Sequence, residues 1–251
     1  MDQNLAEVAR RAIPLIDLTS LNDDDTDDRI AKLCAAATTP FGPVAAVCIY
    51  GRFVRTAKKQ LDGSGIRVAA VANFPAGTAS VTDTSKEVRE LVTAGADEVD
   101  VVLPYRQILA GNERPALDLL TAVREICGPK VTLKAILETG AYGEDRAKVT
   151  AAAELAIRGG ANFIKTSTGK ISVGATPFAA TCILETIRRV GARVGFKASG
   201  GIHDATQAAL YLELADRIMG PSWATPATFR FGVSELLDDL LARLKAPPRS
   251  A

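Results

Sequence analysis

Short apolar runs alternate with longer stretches of helical spacing from one end of the chain to the other. The runs Ile13–Leu18, Val44–Tyr50, Val68–Asn73, Glu98–Leu103, Val131–Glu138, Asn162–Thr166, Arg193–Ser199 and Arg217–Met219 read as strands. Asp27–Ala37, Val81–Val92, Pro115–Ile126, Asp145–Ile157, Pro177–Val190, Ala205–Leu214 and Glu235–Leu244 carry apolar residues three and four apart and read as amphipathic helices. Strand–helix alternation predicts parallel pairing through helical crossovers. About eight repeats of the unit favour an α/β fold closed as a single (β/α)8 TIM barrel. The pattern by itself also fits an open doubly wound sheet. No composition shift marks a second domain, so the 251 residues read as one barrel domain with a short loose tail from about residue 246.

Charged residues interrupt the apolar strands at regular places. Lys165 lies inside Asn162-Phe163-Ile164-Lys165-Thr166, and Lys197 inside Val194-Gly195-Phe196-Lys197-Ala198-Ser199. An isolated ammonium is costly away from water, so a lysine inside a buried strand is paired or functional. Strand alternation puts Glu98, Asp100 and Val102 on one face, and Lys134 and Glu138 on another. Asp17, between Ile16 and Leu18, joins this inward set. Such a cluster is either a structural charge network or a reaction site. Gly- and hydroxyl-rich turns follow both lysines, Thr168-Gly169-Lys170 and Gly200-Gly201, and turns of this kind bring backbone N–H groups to an anion. An easily desolvated amine beside an anion cradle suggests imine chemistry on a phosphorylated carbonyl compound. A free lysine has a pKa of about 10.4 and is almost wholly protonated at pH 7. A second ammonium about 4 Å away contributes roughly 4 kcal/mol of repulsion at an effective dielectric of 20. That is enough to lower a neighbour's pKa by about three, an upper figure because carboxylates oppose it.

Composition removes several function classes. The net charge of +1 gives no electrostatic case for nucleic acid or membrane partners. The four cysteines, at 34, 48, 127 and 182, show no metal-ligand or redox-pair spacing. The acidic run Asp23–Asp28 lacks the glycine and glutamate of a calcium loop and reads as a helix start. The first residues lack a signal-peptide pattern, so a cytoplasmic enzyme or binding protein is expected. Cys48 reads as a core cysteine in the second strand, with the barrel mouth as its other setting. Trp223 reads as packing or lid material in the turn after strand eight.

The motifs together resemble deoxyribose-phosphate aldolase, a Schiff-base (class I) aldolase family on a (β/α)8 barrel. The resemblance rests on Ile16-Asp17-Leu18-Thr19, Asn73-Phe74-Pro75, Ala96-Asp97-Glu98-Val99-Asp100-Val101-Val102 and Leu137-Glu138-Thr139-Gly140. It continues through Phe163-Ile164-Lys165-Thr166-Ser167-Thr168-Gly169-Lys170, Gly195-Phe196-Lys197, Gly200-Gly201 and Arg230-Phe231-Gly232. It implies reversible cleavage of 2-deoxy-D-ribose 5-phosphate to acetaldehyde and D-glyceraldehyde 3-phosphate, in deoxyribonucleotide catabolism, without metal or organic cofactor. Lys165 is then the imine-forming nucleophile, and Lys197 the neighbouring cation that favours its neutral amine. Asp100 moves protons through water, and Asp17 and Lys134 support the network. The substrate phosphate is expected at Gly169, Lys170, Gly200, Gly201 and Ser234, with Ser234 also capping the last helix.

Two positions depart from the family pattern: Glu235 stands where a serine is common, and His203 where an arginine can occur. They leave open an aldolase of the same mechanism that prefers non-phosphorylated aldehydes. A non-catalytic sugar-phosphate binding barrel and a phosphate-binding isomerase are the other readings. Expected partners are small aldehydes and sugar phosphates, with room for assembly as a homo-oligomer.

Overall fold

The computed structural model describes residues 5–245; the loose tail expected from about residue 246 lies outside the described residues. Eight parallel strands make a closed barrel: β1 (Ile16–Thr19), β2 (Ala46–Ile49), β3 (Arg67–Ala72), β4 (Glu98–Val102), β5 (Thr132–Ile136), β6 (Phe163–Lys165), β7 (Gly195–Ser199) and β8 (Phe229–Val233). Each pairs with its neighbours in sequence, and β8 returns to β1 with Ile16 opposite Phe231 and Asp17 opposite Gly232. The (β/α)8 TIM barrel expected from the alternation is therefore the fold. A jacket of helices surrounds it: α1 (Leu5–Ala12), α2 (Asp27–Ala36), α3 (Val54–Gln60), α4 (Val81–Ala94), α5 (Tyr105–Leu109), α6 (Arg114–Cys127), α7 (Arg146–Arg158), α8 (Pro177–Val190), α9 (Ala205–Met219) and α10 (Leu236–Lys245).

Local chemistry starts and stops these helices. Ser80 accepts from Asp83 N at 3.0 Å ahead of α4, and Gly95 ends that helix in the left-handed conformation. Thr176 and Pro177 open α8, and Asp204 accepts from Gln207 N ahead of α9. The acidic run is a helix start, as expected. Thr26 caps α2, Asp27 and Asp28 fill its first turn, and buried Asp25 instead ties the β1–α2 loop through Ser20 Oγ and Asn22 N.

The main core lies between the barrel's outer face and the helices. Outward Val99 and Val101, Phe196 and Ala198, and Phe229 and Phe231 alternate with inward polar residues.

Three sequence-based boundaries need correction. Ile13–Leu15 is a 3-10 turn rather than the start of β1, since Pro14 has no N–H to give a ladder. Arg217–Met219 is the last turn of α9, not the eighth strand. Buried Ile218 continues the stripe of Tyr211 and Ala215 at helical spacing. The true β8 is Phe229-Arg230-Phe231-Gly232-Val233, where period-two alternation is clear once the arginine is allowed to face inward. Trp223 consequently precedes the last strand. It packs partly buried against the main core, in an α-to-β loop at the end of the barrel opposite the strand C-termini, which makes it packing and not a lid. No helix among the described residues is long and apolar enough to cross a membrane.

Candidate active site

Barrel closure turns separate inward residues into one buried network. In the ladders, Asp100 stands opposite Lys134, Lys165 opposite Lys197, and Lys197 opposite Arg230. Lys165 Nζ donates to Asp100 Oδ2 at 3.0 Å, and Lys197 Nζ donates to the same oxygen at 2.8 Å. Lys134 Nζ takes Asp100 Oδ1 at 2.6 Å. Asp17 joins from β1, with Oδ2 accepting from Lys197 Nζ and Oδ1 from Arg230 Nη1, each at 2.5 Å. Glu98 closes the lower layer, 2.5 Å from Lys134 Nζ and 3.0 Å from Arg230 Nη2. All seven residues are buried, Lys165 being 1% exposed. Beyond the ladder, Thr166 Oγ1 donates to Ser199 O and accepts from Ser199 N, so the strand ends bearing the two lysines stay stitched together.

The electrostatics separate the members of this set. Burial alone would raise the Asp100 pKa, but the ammoniums of Lys134, Lys197 and Lys165 reverse that and hold it well below the usual carboxylate range. Asp17 is likewise held low: burial opposes ionisation, and Lys197, Arg230 and Lys134 outweigh it. For Lys197, burial favours the neutral amine, yet Asp100 and Asp17 win and raise its pKa well above the ordinary value. Lys197 is thus a permanent cation at neutral pH. The bare ammonium–ammonium repulsion expected from sequence is softened, because one carboxylate oxygen sits between the two lysines. What remains is a charge count. Lys134, Lys165, Lys197 and Arg230 face Asp17, Glu98 and Asp100. Arg67, 2.9 Å from Glu98, adds a fifth cation from the far end of the barrel, so positive groups outnumber the three carboxylates even with Lys165 as the free amine.

Gly232 is what lets Lys197 in. A Cβ there would lie 2.8 Å from Lys197 Cε and 2.7 Å from Ser199 Oγ. On the opposite side the barrel interior is small and apolar, formed by Cys48, Ala69, Val71 and Leu21. Cys48 faces inward, its Sγ 3.9 Å from Asp100 Oδ2, and burial raises its thiol pKa.

Above the lysines a cavity of about 260 Å³ opens at the strand C-terminal ends. It gathers all five residues expected at a phosphate, Gly169, Lys170, Gly200, Gly201 and Ser234, together with Ser199, Gly232 and His203. Gly169 and Gly200 have positive φ, 75° and 89°, and a Cβ on Gly200 would meet Gly169 Cα at 3.3 Å and Gly174 Cα at 3.1 Å. The cradle is therefore made of touching glycine backbones that no side chain could replace without movement. Lys170 Nζ donates to Leu21 O at 2.6 Å, strapping this loop to the β1–α2 loop. Ser234 lines the cavity but lies two residues before the first residue of α10, with Glu235 intervening. The expected N-cap is displaced because β8 ends at Val233 and needs a two-residue bend before the helix.

Lys134 and Glu138 do not share a face as alternation suggested. Glu138 follows the end of β5 with φ 59°, and this left-handed turn redirects its side chain. Its carboxylate accepts from Thr168 N at 3.2 Å and Thr168 Oγ1 at 2.5 Å, and Thr168 Oγ1 accepts from Lys170 N at 3.0 Å. Burial raises the Glu138 pKa, and the Thr168 contacts only partly offset that. Arg230 had no role in the sequence reading, although it carries Asp17. Its signal was the Phe-Arg-Phe-Gly-Val alternation.

A model of the DeoC/LacD family aldolases matches residues 11–240. A Toxoplasma gondii ME49 protein provisionally named a deoxyribose-phosphate aldolase superposes with a TM-score of 0.87 at 26% identity, covering 98% of this chain and 97% of that one. A similarly named protein from Coccidioides immitis gives a TM-score of 0.77 at 27% identity, over 92% of this chain and 85% of that one. The deoxyribose phosphate aldolase of Aeropyrum pernix, a tetramer, gives 0.78 at 20% identity over 98% and 99%, and shows the fold alone.

Proposed function

The chain belongs to the DeoC/LacD aldolase family, and on that premise we propose that it reversibly cleaves 2-deoxy-D-ribose 5-phosphate through a Schiff base on Lys165. The observation that carries this reading is the pair Lys165 and Lys197, side by side on adjacent strands and sharing Asp100 Oδ2 at 3.0 and 2.8 Å.

The neutral amine of Lys165 adds to the C1 aldehyde of the open-chain sugar, and the carbinolamine loses water to give a protonated imine. The C3 hydroxyl then gives up its proton while the C2–C3 bond breaks. The bonding electrons move into the imine, releasing D-glyceraldehyde 3-phosphate and leaving an enamine on Lys165. Protonation of the enamine carbon and hydrolysis of the imine release acetaldehyde and restore the lysine. Asp100 stays ionised beside the Lys134 and Lys197 ammoniums, so it is a weak proton store; its part is to orient a water that relays the protons. Lys197 supplies a fixed positive charge beside the amine. Asp17 and Lys134 hold Lys197 and Asp100 in place, and the 5-phosphate sits at the glycine cradle with Lys170 and Ser234. The family and the cavity's contents favour small-molecule substrates.

Mass spectrometry after treatment with acetaldehyde and borohydride tests the mechanism, with Lys165→Ala in parallel. One ethyl adduct mapping to Lys165, absent in the variant, is expected. No adduct under conditions that trap a Schiff-base enzyme would sink the aldolase mechanism and favour a binding role.

One observation favours a second reading, the same chemistry on non-phosphorylated aldehydes. Glu235, beside cavity-lining Ser234, lies 3.1 Å from His203 Nδ1, and a carboxylate there repels a phosphate dianion. The ratio of kcat/KM for 2-deoxyribose 5-phosphate to that for 2-deoxyribose separates the two: well above one supports the phosphate reading, one or below the alternative.

A further inference from the structure

The far end of the barrel holds a second cavity, about 430 Å³, at the N-terminal ends of the strands. Arg67, Arg193 and Arg230 line it, with Thr132, Asn162 and a single carboxylate, Glu98. Conserving a barrel's stability accounts for part of this: Glu98 is held by Lys134 at 2.5 Å and Arg230 at 3.0 Å. It does not account for the rest. Among the described residues Arg193 makes no hydrogen bond or ion pair. Arg67 Nε is buried and donates to no acceptor, although Glu98 Oε1 lies 2.9 Å away out of line. The Arg193 guanidinium and one Nη of Arg67 thus have no protein acceptor among the described residues and are free to meet a ligand.

The unused hydrogen-bonding capacity here is almost wholly donor. Asn162 Oδ1 already accepts from Arg124 Nη1 at 2.7 Å and Leu133 N at 2.8 Å, which leaves its amide N–H groups. Arg67 spends one Nη on Asp97 O, and Arg230 spends Nε on Pro226 O. Two guanidiniums with open N–H groups, a third forming the floor, and the one carboxylate already neutralised from inside the barrel fit a small doubly charged oxyanion, which arginine grips with paired N–H donors. The volume falls within the range of small-molecule sites. We propose that this rear cavity binds a phosphate dianion, free or as a monoester of a small metabolite, and that its occupancy slows the reaction at the other end.

Arg230 provides the link. It forms the cavity floor and also grips Asp17 Oδ1 at 2.5 Å, while Asp17 Oδ2 holds Lys197 and Lys197 shares Asp100 with Lys165. A dianion beside Arg67 and Arg230 compensates surplus positive charge in the set that holds Asp17, Glu98 and Asp100. Added negative charge there favours the ammonium form of a nearby lysine over the neutral amine that imine formation needs. This second half rests on the Schiff-base reading; the binding itself does not.

Calorimetric titration with inorganic phosphate, and separately with ribose 5-phosphate, tests the site on the full chain. The variants are Arg193→Gln, Arg67→Gln and Lys170→Met. Arg193 is exposed and has no partner among the described residues, so Arg193→Gln should fold even if Arg67→Gln does not. The expected result is one binding event weakened roughly tenfold in Arg193→Gln, the loss of about one charge-assisted contact, and retained in Lys170→Met. Phosphate should also inhibit turnover of 2-deoxyribose noncompetitively in the wild type, and roughly tenfold more should be needed in Arg193→Gln. Titrations of Arg193→Gln identical to wild type, or phosphate binding lost in Lys170→Met alone, overturn the proposal. So does rear binding with no effect on turnover. If the front cavity takes no phosphate, Lys170→Met changes nothing while Arg193→Gln still does, so failure of the front-site reading is told apart from failure of this one. Tighter binding of ribose 5-phosphate than of inorganic phosphate at the Arg193-dependent event identifies a monoester as the ligand; the reverse identifies free phosphate.

Discussion

Asp17 makes no expected contact with the reacting carbons, yet its two oxygens join Arg230 to Lys197. Replacing one by an amide leaves the shape and removes the charge. Removing one member of a buried ion pair typically destabilises by about 3–5 kcal/mol, since its partners remain buried without compensation. Asp17→Asn should therefore lower the stability read from urea unfolding by about that amount, and depress kcat more than KM because the proposed phosphate cradle is untouched. A variant of wild-type stability would show that Lys197 and Arg230 find other partners. Lysine in a run of β-formers is locally anomalous, so Lys165 and Lys197 were legible in the sequence. Arg230 was not, because an arginine between two phenylalanines reads equally well as a surface position until the strand's neighbours are known. Glu138 misled for a different reason: alternation holds only while φ stays extended, and its left-handed turn ends the rule one residue past the strand.

At the level of elements, β8 is built around an absence. Gly232 leaves the space that Lys197 and Ser199 occupy from β7. Gly232→Ala places a methyl within 2.8 Å of Lys197 Cε, and overpacking of this kind typically costs about 1–3 kcal/mol. Lys197 can yield only by moving off Asp17 or Asp100. The variant should thus lose activity far out of proportion to its change in melting temperature, and the ethyl adduct at Lys165 should form more slowly. Full activity would mean that Ser199 alone moves. Helix limits were readable to within a residue or two in most cases, because caps and glycine stops are local. The exception among the expected helices, α9, ran five residues past its expected end at Leu214 to Met219, and the last three of these, Arg217–Met219, had been assigned to a strand. A three-residue apolar run carries no period, so neighbours in space decided it.

Across the whole molecule the buried network sets the response to pH. Asp17 and Asp100 have folded pKa values below their unfolded ones, near 3.9. Their contribution is present above that pH and is lost as pH falls through the folded values. Lys134 and Lys197 are raised, so theirs is full below about 10.4 and is lost as pH rises through the folded values. Glu87 and Glu138, also raised, stabilise most below about 4.3, and that contribution fades as pH rises through their folded values. Urea midpoints should hold level around neutral pH, fall below about pH 3.9 as Asp17 and Asp100 protonate, and fall above about pH 10.4 as Lys134 and Lys197 lose their protons. A steep slope inside that window would show that the network titrates there. Helix α1 belongs to this scale too, packing on α9 and α10 with Arg11 bidentate to Asp216 at 2.8 and 2.9 Å, so the first helix is fastened to the last part of the barrel.

The sequence by itself determined the repeating strand–helix unit, the helix start at the acidic run and most of the inward charges, because periods of 2 and 3.6 and helix-end electrostatics act over a few residues. The family resemblance named Gly169, Lys170, Gly200, Gly201 and Ser234 together, and they do line one cavity. Tertiary structure alone decided that Asp100 stands between the two lysines, that Arg230 anchors Asp17, and that three arginines converge behind the barrel. Those relations depend on the register between strands far apart in sequence, and on which strand closes the ring. Register is set by the joint packing of eight strands and their helices, a sum of many weak non-local contacts that leaves no short-range trace.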